Sequence, residues 1–402
     1  MNNGIHRMSL YGAFFFVLAS ILTGCWDSQD IENRANVLAI AIDEADNSDE
    51  EEDNIAHLED TPNTEMIRVT VQIAVPGEVL LGPPQGGGEQ SDPVWVLSVT
   101  GHTVEEAISN LQQEVAEDIF LGQLRVIVIN EDVAKKGVER FNEALRQNPQ
   151  VRRNAWMVVS QEEAAQYMDL SPKLEAVPTL YLVNMVESFV DLGKFPDNYM
   201  GLFWRMVSSQ GQDGYLPYLQ AVGEEQIRLD GLAYFKADRM IGHIEPLQVG
   251  YFMAVTDYPI GGNEGFVPIP GTDKHITRET LLRQGKIKTE IKEGKPYARV
   301  KIRYEETVIE GDPDINLNDS QLIEKIEEEG GKIATDHVEH LIQTMQKEQS
   351  DIFGFGEYIR AKHPGYWNRE IRTKDNWHEE FQNLDVDVDV MFNIRRVETS
   401  AR

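Results

Sequence analysis

Apolar and polar residues follow two different periods along this chain. The stretches "ANVLAIAID" (35–43) and "MIRVTVQIAV" (66–75) are rich in branched apolar residues and read as strands. "RVIVIN" (125–130) and "NAWMVVS" (154–160) are shorter and more continuously apolar, as expected of strands covered on both faces. Between these pairs the period lengthens. Val104, Ala107, Ile108, Leu111 and Val115 form one face of a helix that Thr103 can cap, with Glu106 completing a capping box. Residues 132–147 read as a further helix, so strand 125–130, this helix and strand 154–160 predict a right-handed βαβ unit. Helices are expected near 161–169, 178–193 and 200–209. Residues 217–244 read as short strands with a hairpin tip at Ala237-Asp238-Arg239.

The last third has the cleanest alternation. "KIKTEIK" (286–292) and "ARVKIRYE" (298–305) are period-2 strands joined by the turn "EGKP". A helical stretch from about 320 to 349 is expected to break at Gly330-Gly331, and its second half buries Ala334, Val338, Leu341, Ile342 and Met345. "NLDVDVDVMFNI" (383–394) is a final alternating strand. Asp385, Asp387 and Asp389 share one face of it, and Arg299, Lys301 and Arg303 share one face of "ARVKIRYE". Three acids in a row need opposing charge, so the two strands are expected to be neighbours. Together these elements predict an α+β chain of three consecutive mixed α/β domains, at 25–197, 198–275 and 276–402. The last would be an antiparallel sheet packed with a long helix.

The N-terminus breaks the pattern. Arg7 is followed by "YGAFFFVLASILTG" (11–24), an uncharged run of 14 residues, whereas a spanning helix needs about 20. A basic start, a short apolar run and small residues at its end describe an export signal over 1–24. The run ends at Leu22-Thr23-Gly24-Cys25, which looks like a bacterial lipobox, and Cys25 is the only cysteine among 402 residues. Its thiol would take a diacylglyceryl group and tether the chain to a membrane, most stably with a second acyl chain on the new amine.

Charge narrows the partners. Against 37 Lys+Arg stand 68 Asp+Glu, a net charge of −31, and removing residues 1–24 deletes Arg7 and no acid, leaving −32. Such a surface argues against nucleic acid and against a basic membrane-binding patch. Ten of the acids fall between Asp43 and Asp60, in a run without the glycine and ligand order of an EF-hand, and this reads as a solvated hairpin loop. "GPPQGGGEQSDP" (82–93) is a second loop.

Candidate chemistry is sparse. The chain has no GxSxG, GxxxxGK[ST] or HExxH pattern. His337 and His340 lack an evident third metal ligand, and "FGFG" (353–356) lacks the third glycine of a dinucleotide loop. No catalytic residue, metal or cofactor is expected, and any ligand-binding residues stay unassigned. A solute-binding lipoprotein of a transporter is the alternative, although its two repeated β–α lobes are not seen.

Several segments, in order, carry a family resemblance. They are "GCWDSQDIENRANVLAIAID", "GHTVEEAISNLQQEVAEDIFLGQLRVIVINEDVAKKGV", "LRQNPQVRRNAWMVVS", "LDGLAYFKADRMIGHIE" and "MQKEQSDIFGFGEYIRAKHP", then Trp367, Trp377, Phe381 and a strand ending in Ile394-Arg395-Arg396. The chain resembles the Ger(x)C-type spore germination lipoproteins, the C subunits of nutrient germinant receptors. It departs at Gln123, where the family usually has histidine. The resemblance implies no enzymatic activity and a lipid-anchored place on the outer face of the inner spore membrane. It also implies integral-membrane A and B subunits as partners. Trp204, Trp367, Trp377 and the glycines of "DIFGFG" are expected to hold parts of the fold together.

Overall fold

The computed structural model describes residues 33–45, 65–77, 92–170, 174–223, 226–312 and 316–397. Two sheets organise them. The first runs in the order β3 (Val94–Gly101), β2 (Ile67–Ala74), β1 (Arg34–Glu44), β5 (Val126–Asn130), β6 (Trp156–Ser160), β7 (Tyr215–Val222), β8 (Gln226–Lys236), β9 (Arg239–Ile244). The short β4 (Asp118–Phe120) pairs with the start of β1. Pairing is antiparallel at both flanks and parallel through β1, β5, β6 and β7. The parallel centre holds the most continuously apolar runs, and successive residues of its strands are buried, so both its faces are covered. Ile40, Ile42, Ile127, Val128, Met157 and Val158 are fully buried there.

Helix α1 (Val104–Glu114) starts where expected, with Thr103 Oγ1 accepting from Glu106 N at 3.1 Å. The Glu106 carboxylate reaches one residue further back than a capping box requires, accepting from His102 N at 2.7 Å. The helix expected over 132–147 is two: α2 (Glu131–Lys136) and α3 (Glu139–Gln147). Gly137 separates them at φ +121°, and a Cβ there would stand 2.6 Å from the Asp238 carboxylate. The acidic run from Asp46 onward lies outside the described residues. Asp43 belongs to β1 rather than to a solvated loop. It is buried, and accepts from Ala164 N at 2.6 Å and Ala165 N at 2.9 Å.

Helices α4 (Pro178–Asp191) and α5 (Met200–Val207) lead into β7. The boundary expected at 197/198 falls inside the span of the first sheet, since β6 bonds β7 at Val159–Tyr218 and Ser160–Leu219. Helix α6 (Pro246–Val255) then carries the chain to the second sheet.

That sheet has the order β10 (Glu264–Pro268), β11 (His275–Lys292), β12 (Lys295–Gly311), β13 (Asp385–Val397). β11 and β12 form a long hairpin whose tip, Glu293-Gly294, has φ +51° and +81°, as a two-residue turn between twisted strands requires. β13 is the expected neighbour of β12: Arg299 lies opposite Asp387 at 2.7 Å and Lys301 opposite Asp389 at 3.2 Å. Arg303 instead faces Met391 and pairs with Glu305. The pairing is parallel, so the sheet is mixed rather than antiparallel. The reason is the connection. Helix α7 (Ser320–Glu348) returns the chain to the beginning of β12 before β13 starts, the usual crossover for parallel neighbours.

The break expected at Gly330-Gly331 is absent, and α7 runs through both glycines. They lie on its buried face, where a Cβ on Gly330 would stand 3.0 Å from the Phe392 ring and one on Gly331 3.2 Å from Val390 O. The pair weakens the helix locally by about 1 kcal/mol per residue and in return lets β13 approach its backbone.

Candidate functional site: a buried joint between the two sheets

Cys25 and the lipobox residues Leu22, Thr23 and Gly24 lie outside the described residues. His337 stacks on Tyr251, with ring centroids 5.0 Å apart, and no group of three metal-ligating side chains occurs among the described residues. "DIFGFG" and Trp377, by contrast, converge on one place.

This place is built from the loop before β7, the β8–β9 turn, the turn after α7, helix α8 (Phe355–Lys362) and helix α9 (Lys374–Gln382). Helix α7 ends on Gln349 in the left-handed conformation, and Ser350 Oγ then donates to Phe235 O at 2.6 Å. The next residue, Asp351, exchanges backbone contacts with Asp213. Asp213 N donates to Asp351 O and Asp351 N to Asp213 Oδ2, both at 2.9 Å. The Asp213 carboxylate also accepts from Ala237 N at 3.0 Å, Lys374 Nζ at 3.1 Å and His378 Nε2 at 3.0 Å. An ionised carboxylate only accepts, so Nε2 of His378 carries a proton. Asp213 is fully buried, yet burial, which raises its pKa, is outweighed by the His378 hydrogen bond and the Lys374 charge. Its carboxyl is held below the usual range.

Asp351 is also fully buried and takes four donors. Oδ1 accepts from Gly354 N and Phe355 N at 2.8 and 3.1 Å, and Oδ2 from Gly356 N and Trp377 Nε1 at 2.9 and 3.0 Å. "FGFG" therefore turns its backbone N–H groups onto the chain's own aspartate. Gly354 enters α8 at φ +77°, and a Cβ on Gly356 would stand 2.5 Å from Trp377 Nε1 and 2.7 Å from Gly211 Cα. Glu357 closes the contact, bonding Gly211 N at 2.9 Å and Arg360 at 2.8 Å. Around this polar centre lie Trp367, Trp377 and Phe381, with successive rings 5.7 and 6.0 Å apart.

Burial, together with the nearby Asp213 charge, pushes Asp351 up to about 7 against its four donors. The folded chain then keeps a proton that the unfolded chain releases near pH 3.8. Stability from this group is thus fully present below that value and declines as pH rises towards 7. The thermal midpoint should fall between pH 5 and pH 7, and that slope should flatten in Asp351→Asn. An unchanged slope would contradict this titration.

A second buried centre ties the first sheet's helices to β11. Arg283 is fully buried and donates to Tyr258 O at 2.8 Å, Asn263 Oδ1 at 2.6 Å and Gly193 O. It has no carboxylate in direct contact among the described residues. Burial lowers its pKa to about 10. Both centres join distant segments, and neither presents a reactive group to solvent.

Comparison with known proteins divides the chain within the first sheet, at the β7–β8 hairpin. The family model described as "Spore germination protein N-terminal domain" matches residues 27–221, and "Spore germination B3/GerAC like, C-terminal" matches 230–398. "Spore germination protein KC" of Bacillus subtilis (strain 168) is 23% identical over 416 residues, covering 97% of this chain and 96% of its own. "Spore germination protein B3" of the same organism is 25% identical over 399 residues, covering 96% and 97%. "Spore germination protein GerQC" of Bacillus cereus is 25% identical over 309 residues, covering 77% and 83%. The crystal structure of the GerBC protein shares the fold, with a TM-score of 0.54 at 17% identity over 84% of this chain and 96% of that one. With both family models matched in order and relatives aligned over nearly their whole length, the chain belongs to the Ger(x)C family of spore germination proteins.

Proposed function

We propose that the chain is the non-enzymatic C subunit of a nutrient germinant receptor, tethered through a lipid on Cys25. The observation that carries this reading is the family membership, spanning both halves in order. It favours a germination role over delivery of a solute to a transporter. The tether is supported by the lipobox at Leu22-Thr23-Gly24-Cys25. On this reading the folded body sits on the outer face of the inner spore membrane beside integral-membrane A and B subunits. The two buried centres support a body that moves as one piece, which suits a subunit transmitting force or position rather than turning over substrate.

Dipicolinate release from nutrient-treated spores tests this. Deleting the gene should slow or abolish release, and Cys25→Ala should do the same if the tether is needed. Loss in the deletion alone would keep the receptor role and remove the tether from it. Normal release in both strains across a nutrient panel, in a background without other receptors, would overturn the proposal.

A further inference from the structure

The solvent face of the second sheet carries charge that the joint does not use. On β12, Arg299, Lys301 and Arg303 point outward because Val300 and Ile302 between them are buried. β13 sets Asp387 and Asp389 beside the first two. On the other side, β11 sets Lys288 opposite Arg299 and Lys286 opposite Lys301. Across three strands the columns therefore read acid, base, base. Like charges directly opposite on adjacent strands are unfavourable, and here two such pairs stand side by side. The β12 cations have carboxylates, but among the described residues neither Lys286 nor Lys288 makes an ion pair. At the Lys286 end the face dips into a concavity of about 370 Å³, to which Lys286, Lys301 and Arg303 contribute beside exposed Met391. Its two carboxylates are engaged already, Asp389 with Lys301 and Asp257 with Gly285 N at 2.9 Å.

We propose that this face docks an acidic polypeptide segment, whose carboxylates lie over the Lys286–Lys288 column and complete an acid–base–base–acid order. A chain of net charge −31 repels anions over most of its surface, so a local basic column gives such a segment a defined register. An anionic bilayer fits less well. Asp387 and Asp389 stand on the same face, one strand spacing (about 4.8 Å) from the β12 cations, and a uniform negative plane would press on them. A polypeptide can place its acids over β11 and leave β13 clear. Recognition falls to side chains, because the β11 backbone edge is partly occupied: Gly285 N donates to Asp257, and Thr289 O lies 2.9 Å from His363 Nε2.

The test is a titration of the purified full chain with a fluorescein-labelled Glu-Ser-Glu-Ser-Glu-Ser-Glu peptide at low salt, followed by anisotropy. Lys286→Glu/Lys288→Glu should weaken binding at least tenfold, while its thermal midpoint rises by about 1–4 °C as two like-charge pairs become opposite pairs. Absence of peptide binding, or equal binding to this variant and the parent, overturns the proposal. So does loss of binding to phosphatidylglycerol vesicles in the variant with no effect on the peptide, which would assign the face to lipid. Should the double Glu variant not fold, Lys286→Gln/Lys288→Gln takes its place, and undiminished peptide binding there overturns the proposal equally.

Discussion

Asp213→Ala should destabilise the fold by about 3–5 kcal/mol, because it leaves the buried Lys374 ammonium with no counter-charge and the His378 Nε2–H with no acceptor. Lys374 and His378 are only 14% and 4% exposed at their side chains, so water cannot replace the lost carboxylate fully. Two backbone donors, Ala237 N and Asp351 N, lose their acceptor as well. Asp213→Asn keeps the shape and an acceptor oxygen and should cost less. Urea unfolding followed by circular dichroism gives the ordering Ala worse than Asn worse than parent. A loss below about 1 kcal/mol for alanine, the value of an exposed pair, would mean that the site is wetter than this geometry implies.

Trp377→Ala should cost a similar amount, about 3–5 kcal/mol for a large buried aromatic. The indole is fully buried, contacts Trp367 and Phe381, and donates one of the four hydrogen bonds to Asp351. Trp377→Phe separates the two contributions in large part, since it retains most of the apolar volume and removes the N–H with the remainder of the five-membered ring. It should cost about 1–3 kcal/mol, the range for a buried acceptor losing its donor. Thermal melts of the two variants side by side check this, and equal losses would mean that packing contributes little beyond the hydrogen bond.

Neither site could be located from sequence patterning, although its members could be noticed. "DIFGFG" and Trp377 stand out as unusual residues, but their meeting point depends on Asp213, 165 positions from His378. A single aspartate in a polar loop carries no periodicity. Local patterns did much better where one neighbour determines the next. Alternation over 286–292 and 298–305 predicts the β11–β12 hairpin, and complementary charge predicts that β13 lies beside β12. The strand direction was not legible for a definite reason. Arg299-Lys301-Arg303 matches Asp385-Asp387-Asp389 equally well in either orientation, and only the return path through α7 decides. Gly330-Gly331 misleads in a related way. Helix propensity counts the local cost of two glycines and is blind to the strand that needs them.

The parallel closure by β13 has a consequence for how the chain reaches this state. Arg299 waits for a partner 88 positions later, with α7, α8 and α9 made in between. Contacts of such separation form late and slowly. Until they do, β12 has an open edge, and the apolar flank of β13 with its Phe392 ring has nothing to cover. The C-terminal half therefore completes its sheet with the last strand described, and premature termination upstream of Asp385 should send the product towards aggregation or proteolysis, not towards a shortened working subunit.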